Sequence, residues 1–142
     1  MKSNRIAMSS VLLALGLSFG ASASAQTGLT AAPNPLNVSA PGGGYTTGSI
    51  TVTNHGPGFA SNLSVAAPTN LGPKHGGLNI IADTCTGATL AQNGTCTVRF
   101  SYDAPCFVRA GYQDQWYVAI TSAQFPVLNE KVIGTNLSYA CE

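Results

Sequence analysis

Four cysteines offer the most versatile chemistry in this 142-residue chain: Cys85, Cys96, Cys106 and Cys141. As thiolates they can hold a tetrahedral zinc ion, and as oxidised pairs they form disulfides. Zinc sites usually contain C-x2-C knuckles, which this spacing lacks, so disulfides are the preferred interpretation and zinc is the competing one. Four cysteines allow three pairings. We predict Cys85 with Cys96, because a turn-rich segment separates them, and consequently Cys106 with Cys141.

Few residues are available for acid–base or nucleophilic catalysis. His55 and His75 are the only histidines in the sequence, and the predicted strands put them at opposite ends of the fold, too far apart to share a ligand. No G-x-S-x-G elbow, H-E-x-x-H pair or phosphate-cradling loop occurs. We therefore expect a protein that is not an enzyme, with no catalytic residue, no metal site and no cofactor. A small hydrolase or metalloenzyme, built from an unrecognised arrangement of Asp83, Asp103 and Asp114, is an alternative.

A cluster of aromatic residues is the candidate binding surface. Tyr112, Trp116 and Tyr117 lie close together, interleaved with two glutamines and an aspartate. Neighbouring residues of a strand point to opposite faces, so Trp116 and Tyr117 must separate, one into the core and one outward. An exposed aromatic ring beside amides can stack on a sugar or anchor a protein interface. The alternative is that Trp116 is a core residue and Tyr117 an ordinary strand residue.

The N-terminus has the pattern of a secretory signal peptide. Lys2 and Arg5 precede an apolar run at residues 6–19, and the small residues at 20–25 offer A-x-A cleavage frames. We predict cleavage after Ala25; a membrane anchor is disfavoured because the run is shorter than the roughly 20 residues a bilayer requires. The sequence thus predicts an exported protein, periplasmic or secreted, in a compartment where cysteines pair.

The charge of the mature chain argues against two classes of partner. After removal of residues 1–25, four basic and five acidic residues remain, for a net charge of −1. Nucleic-acid binding and anionic-membrane binding both depend on clustered Lys and Arg, which are absent. We expect neither a nucleic-acid partner nor membrane insertion after signal removal; the predicted partner is an unidentified protein or envelope component, or a glycan.

Short segments of alternating apolar and polar residues predict the elements that must position these groups. After an exposed lead-in at residues 26–35, one domain at 36–142 is expected. The predicted strands are residues 36–39, 48–54, 62–66, 78–82, 96–102, 116–121, 127–133 and 137–141. Seven to eight strands with turns at intervals of about ten residues indicate an all-β, immunoglobulin-like antiparallel sandwich stapled by disulfides, with a closed barrel as the alternative.

The order of cysteines, glycines and apolar residues resembles a known family. The pattern consists of Cys85, Leu90, Gly94, Cys96, Val98, Phe100, Pro105, Gly111, Val118, Ile120, Val132 and Gly134, preceded by the strand and turn at residues 50–57. It is similar to the choice-of-anchor D modules, which are related to abnormal-spindle/hydin-type immunoglobulin-like domains of bacterial secreted and surface proteins. The added Cys106 and the tail that ends at Cys141 depart from that pattern.

The resemblance implies a non-catalytic role. Such modules serve as spacers or binding platforms, so the expected function is structural or protein interaction at the cell envelope or outside the cell. The alternative is a carbohydrate-binding domain that uses the exposed aromatic residues.

Overall fold

Side chains alternate between buried and exposed along the longest strands, and this alternation builds the fold. Between Thr95 and Asp103, the side chains of Cys96, Val98, Phe100 and Tyr102 are buried, and the residues between them are more exposed. This is the pattern of a strand with one face on a core and the other toward solvent. The strand alternation predicted from Cys96 onward is confirmed.

The computed structural model describes residues 28–73 and 75–141. This part of the chain contains nine strands and no helix that could span a membrane. The strands are β1 (Leu29–Ala32), β2 (Leu36–Ala40), β3 (Tyr45–Asn54), β4 (Ser64–Val65), β5 (Thr69–Asn70), β6 (Gly77–Asp83), β7 (Thr95–Asp103), β8 (Gln113–Thr121) and β9 (Leu128–Asn136). The predicted signal peptide at residues 1–25 lies outside the described residues.

The strands form two sheets in the order of an immunoglobulin-like sandwich. One sheet has the order β1-β3-β7-β6, and the other has β2-β9-β8-β4, with β5 also paired to β8. These orders correspond to the A-B-E-D and C-F-G sheets of immunoglobulin folds. The predicted disulfide-stapled β-sandwich is therefore confirmed.

Some details differ from the prediction. β2 runs parallel to β9, whereas the other paired strands are antiparallel. The count is nine because β1 and β5 are added, while the predicted strand at residues 137–141 does not form. There the Leu137 amide still donates to the Ala40 carbonyl, but the chain then leaves the sheet and crosses the end of the sandwich toward Cys141.

The expectation of an exposed lead-in at residues 26–35 is wrong for Leu29–Ala32. This segment forms β1 and pairs with the end of β3, from Leu29 opposite Asn54 to Ala32 opposite Thr51. Proline has no N–H to donate to a ladder. Pro33 and Pro35 therefore interrupt the pairing, and the chain moves to the other sheet as β2. The two prolines thus mark the switch between the sheets.

The core is centred on two large aromatic side chains from opposite sheets. Trp116 of β8 is 2 % exposed and Tyr102 of β7 is fully buried. Their rings meet edge to face with centroids 5.8 Å apart, a favourable geometry for aromatic pairs. Gly134 of β9 lies directly against the Tyr102 ring, so that a Cβ at this position would overlap it. The core thus requires both the aromatic residues and the missing side chain of Gly134.

The cysteines pair as predicted. Cys85 bonds to Cys96 and Cys106 to Cys141, with Cα–Cα distances of 5.1 and 5.2 Å. The first pair is buried, at 0 % and 6 % exposure, and joins the segment after β6 to β7. The second pair is exposed and ties the C-terminal tail to the loop after β7. All four sulfurs are consumed in disulfides, so no thiolate is left for the zinc site considered above.

The turn before Cys85 is held by Asp83. Its carboxylate accepts hydrogen bonds from the backbone amides of Cys85 and Thr86 and from the Thr86 hydroxyl. Partial burial alone would raise the pKa of Asp83, but these hydrogen bonds outweigh it and bring the pKa below its ordinary value. Asp83 therefore positions the buried disulfide and has a structural role.

Glu130 places a carboxyl group in the core. It points inward from β9 opposite Val118, is fully buried, and neither carboxylate oxygen has a hydrogen-bond partner among the described residues. Burial raises the pKa of this carboxyl from its ordinary 4.5 to about 7. Desolvation disfavours the charged form, so the folded protein holds the proton more tightly than the unfolded chain does.

We expect the exposed disulfide to be reduced first. Mild reductant without denaturant should open Cys106–Cys141 and leave Cys85–Cys96 intact, because thiolate attack needs access to the sulfur. Loss of the exposed bridge should lower the free energy of unfolding by up to roughly 4 kcal/mol, from the chain entropy that the bridge removes, and leave the sandwich folded. Differential alkylation with peptide mass spectrometry measures the order. Simultaneous reduction of both bridges would contradict it.

We expect Glu130 to make the protein less stable as pH rises. Its raised pKa means that its contribution is most favourable below about pH 4.5 and is lost as pH rises through about 7. Glu130→Gln should therefore raise the free energy of unfolding at pH 8 by about 1–3 kcal/mol and change it little at pH 4.5. Urea unfolding of both proteins at the two pH values tests this; an equal effect at both would show that ionisation is not the cause.

Candidate functional site

The two histidines lie at opposite ends of the sandwich, as expected. His55 follows the last residue of β3, whereas His75 precedes β6, whose first residue Gly77 pairs with the far end of β7. Because Tyr45, the first residue of β3, pairs with that same end of β7, the length of β3 separates the two imidazoles. Among the described residues, no group of three or more potential metal ligands comes together.

The predicted binding surface is divided by the sandwich. Trp116 is buried against Tyr102 and is not part of any surface, which corrects its assignment as a candidate binding residue. Its large apolar ring takes the inward position, and alternation then sends Tyr117 outward, where it is 41 % exposed. Tyr112 is half-buried just before β8. The available candidates are therefore Tyr117 and the outer edge of Tyr112.

Asp114 fixes the loop that borders this region. The residue is 1 % exposed, and its two carboxylate oxygens accept hydrogen bonds from the backbone amides of His75, at 3.1 Å, and Gly76, at 2.8 Å. The His75 ring packs edge-on against Tyr112 at 4.5 Å, and the Tyr112 hydroxyl donates to the Pro73 carbonyl at 3.1 Å. Asp114 thus has the environment of a structural carboxylate rather than a catalytic one.

A cleft opens between this loop and the start of β8. Its volume is about 250 Å³, and it is lined by Leu71, Gly72, Pro73, Tyr112, Gln113, Asp114 and Gln115. The Leu71 amide donates to the Gln115 carbonyl, after which the chain turns away from β8. The cleft lies where the partner strand of β8 ends. It offers amides and a tyrosine edge, with no nucleophile or free carboxylate.

The outer face of the β8–β9 pair continues from this cleft. We call it the β8 face: Gln113, Gln115 and Tyr117 of β8, opposite Thr135, Ile133 and Lys131 of β9. Tyr117 and Lys131 are direct cross-strand neighbours. The face carries an exposed aromatic ring, two amides and one ammonium group.

A second surface, which sequence reasoning missed, surrounds the exposed disulfide. We call it the stapled end: Phe107, Leu137 and Tyr139 beside the Cys106–Cys141 bridge. These three apolar side chains are 70 %, 58 % and 62 % exposed, and the rings of Phe107 and Tyr139 meet edge to face at 6.2 Å. The sequence signal was an aromatic residue near each of the two later cysteines, Phe107 directly after Cys106 and Tyr139 two residues before Cys141. The disulfide brings these two residues together.

Hydrogen bonds join the two segments of the stapled end. The Phe107 amide donates to the Tyr139 carbonyl at 2.9 Å, and Asn136 Nδ2 donates to the Val108 carbonyl at 2.8 Å. Phe107 has a φ of 59°, a left-handed conformation that costs a bulky residue about 1 kcal/mol or more. Such strain persists only where the surroundings impose it, as the disulfide and these hydrogen bonds do here.

Glycines in the loop before β3 allow the tail to pack this closely. A Cβ on Gly42 would lie 2.7 Å from the Ala140 carbonyl oxygen and 2.8 Å from that of Ser138. A Cβ on Gly43 would lie 3.0 Å from the Cys141 sulfur. The glycine run between Pro41 and Tyr45 therefore makes room for the tail that carries Tyr139.

Comparison with known proteins supports the fold without assigning a family. No protein-family model matches the chain, and no curated protein sequence matches it. The resemblance to choice-of-anchor D modules therefore stays a prediction, while the immunoglobulin-like architecture is confirmed by the strand order.

Three solved structures illustrate the likeness. The secreted serine protease VesC from Vibrio cholerae has a TM-score of 0.54 at 22 % identity, covering 78 % of this chain and 23 % of that chain. A family 123 glycoside hydrolase from Clostridium perfringens has a TM-score of 0.52 at 11 % identity, covering 75 % and 23 %. The PapD-like domain 7 of human CEP192 has a TM-score of 0.47 at 14 % identity, covering 98 % and 100 %. The chain spans less than a quarter of the two enzymes, and its likeness to them concerns the fold alone.

Proposed function

We propose that this protein is a non-catalytic immunoglobulin-like domain that acts by surface interaction at the cell envelope or outside the cell. The observation that carries the proposal is the stapled end, where three large apolar side chains stand exposed around a disulfide. Two of them are aromatic, the side-chain type most enriched in the centres of protein interfaces.

The rigidity of the stapled end supports a binding role. Association costs less when the contact residues are already ordered. The bridge and the hydrogen bond from the Phe107 amide to the Tyr139 carbonyl together leave few conformations to lose. A partner that buries this apolar patch would gain hydrophobic contact without ordering the loop first.

The proposed location rests on the cysteines and on the N-terminal sequence pattern. Exposed disulfides persist in oxidising compartments and are reduced in the cytosol. The Cys106–Cys141 bridge is exposed, and the chain begins with a basic, apolar and small-residue pattern typical of export signals. An exported, periplasmic or secreted protein accounts for both observations.

Substitution of the two aromatic residues of the stapled end tests this proposal. We expect the wild-type protein to capture a partner from the envelope fraction of its native organism, and Phe107→Ser/Tyr139→Ser to lose it. The control is Phe59→Ser, since Phe59 is 65 % exposed and lies in the loop after β3, at the opposite end of the sandwich. Quantitative mass spectrometry of the captured proteins is the measurement.

Other results of that experiment have defined meanings. Equal capture by all three proteins would mean that the stapled end is not the binding surface. Self-association of the wild type in sedimentation, lost in the double variant, would identify the partner as a second copy of this chain. Unchanged melting temperatures would show that the double variant remains folded, as expected for side chains so exposed.

A carbohydrate-binding domain is the second candidate function. The observation that favours it is the β8 face, where Tyr117 is exposed between Gln115 and Lys131 and beside an open cleft. Aromatic rings with nearby amides are suited to sugars, which present apolar ring faces and hydroxyl groups together.

A further inference from the structure

The charge on the β8 face has one sign. Lys131 is the charged residue of the face, and none of the described acidic residues lies on it. Asp114 and Glu130 belong to the same strands, but both are buried in the core. Asp83 and Asp103 lie in the other sheet, at the ends of β6 and β7. A ligand on this face therefore meets an ammonium group and no exposed carboxylate. Asp114 lines the adjoining cleft, but it is 1 % exposed and its oxygens accept the His75 and Gly76 amides.

The strand register brings Lys131 close to the Tyr117 ring. The carbonyls of Gln115 and Ala119 accept hydrogen bonds from Leu71 and Ala66, so their backbone groups point away from β9. Tyr117 lies between them and shares this orientation, which makes Tyr117–Lys131 a non-hydrogen-bonded pair. In antiparallel sheets such pairs have the smaller Cα separation, about 4.5 Å, and the closer side chains.

The cleft extends this pair into an elongated site. Gln115 and Gln113 follow Tyr117 on the same face at intervals of about 7 Å, and both line the cleft. By the same alternation, the backbone N–H and C=O of Gln113 also point away from β9. The pairing between β5 and β8 covers Tyr117 and Trp116 and does not reach Gln113. Hydrogen-bonding groups thus continue from the aromatic ring into the 250 Å³ cleft.

We propose that the β8 face binds an acidic polysaccharide, a polymer of uronic acids. One sugar ring stacks on Tyr117, its carboxylate pairs with the Lys131 ammonium, and hydroxyl groups of the following sugar bond to Gln115 and Gln113. This inference deepens the carbohydrate-binding candidate and rests on it. The new element is the negative charge of the ligand, which the unopposed lysine selects.

Paired probes separate charge from sugar. The purified mature protein is titrated with polygalacturonate and with alginate, each beside its ester, which has the same backbone without the charge. We expect tighter binding to both uronate polymers than to their esters. Lys131→Gln should remove that difference, and Tyr117→Ala should weaken binding to acid and ester alike by about tenfold or more. Affinity electrophoresis and calorimetry measure these changes.

Control variants come from the rest of the chain. Tyr45→Ala removes an exposed aromatic ring, and Arg99→Gln removes an exposed cation, both from the sheet opposite the β8 face. Both should bind as the wild type does. Dextran sulfate serves as a polyanion without uronic acid and should bind more weakly than the uronates.

Each other outcome counts against a defined part of the proposal. Equal binding of acid and ester, weakened by Tyr117→Ala, would keep the carbohydrate-binding candidate and reject the selection for charge. No binding to any polymer, or binding indifferent to Tyr117→Ala, would reject both. Dextran sulfate bound as tightly as the uronates and insensitive to Tyr117→Ala would indicate simple charge attraction. Self-association through this face, lost in Tyr117→Ala, would assign it to a second copy of the chain.

Discussion

The contact between Trp116 and Tyr102 is the interaction on which the arrangement of both surfaces depends. The two rings meet between the sheets with their centroids 5.8 Å apart, and both side chains are buried. Since side chains alternate along a strand, an inward Trp116 requires an outward Tyr117, with Gln115 and Gln113 beside it. A shift of β8 by one residue would bury Tyr117 and expose the indole. The composition of the β8 face is therefore a consequence of core packing.

The sequence predicted the features that depend on a local pattern of residues. Alternation after Cys96 identified β7, and the adjacent Trp116 and Tyr117 had to separate. The pairing of Cys85 with Cys96 followed from the turn-rich segment between them. β1 was missed because Leu29–Ala32 is a short strand that lies next to prolines and pairs with β3, which is distant in sequence. The stapled end was missed for a similar reason, since Phe107 and Tyr139 are neighbours only across a disulfide.

Buried polar residues organise the loops, and alternation alone does not reveal which of them are structural. Asn54 bonds through its side chain to the carbonyls of Gly58 and Leu90 and to the amide of Gly56, and so holds the loops at one end. Asn136 and Asp114 do the same at the other end. Each replaces water at backbone groups that a tight turn would leave unpaired. Among the described residues Glu130 has no such partner, so its burial lowers stability.

The two surfaces differ in how their side chains are held, and this difference is consistent with the different ligands proposed for them. The β8 face is a regular sheet surface formed by one row of side chains from β8 and one from β9. Along each row the side chains recur about every 7 Å, which suits a linear polymer with a repeat of its own. The stapled end is an irregular apolar surface outside the sheets, and a disulfide holds its two segments together. The buried bridge stabilises the sandwich, whereas the exposed bridge shapes one of its surfaces. The second disulfide thus does more than close a loop, because it holds Phe107 and Tyr139 together at the surface.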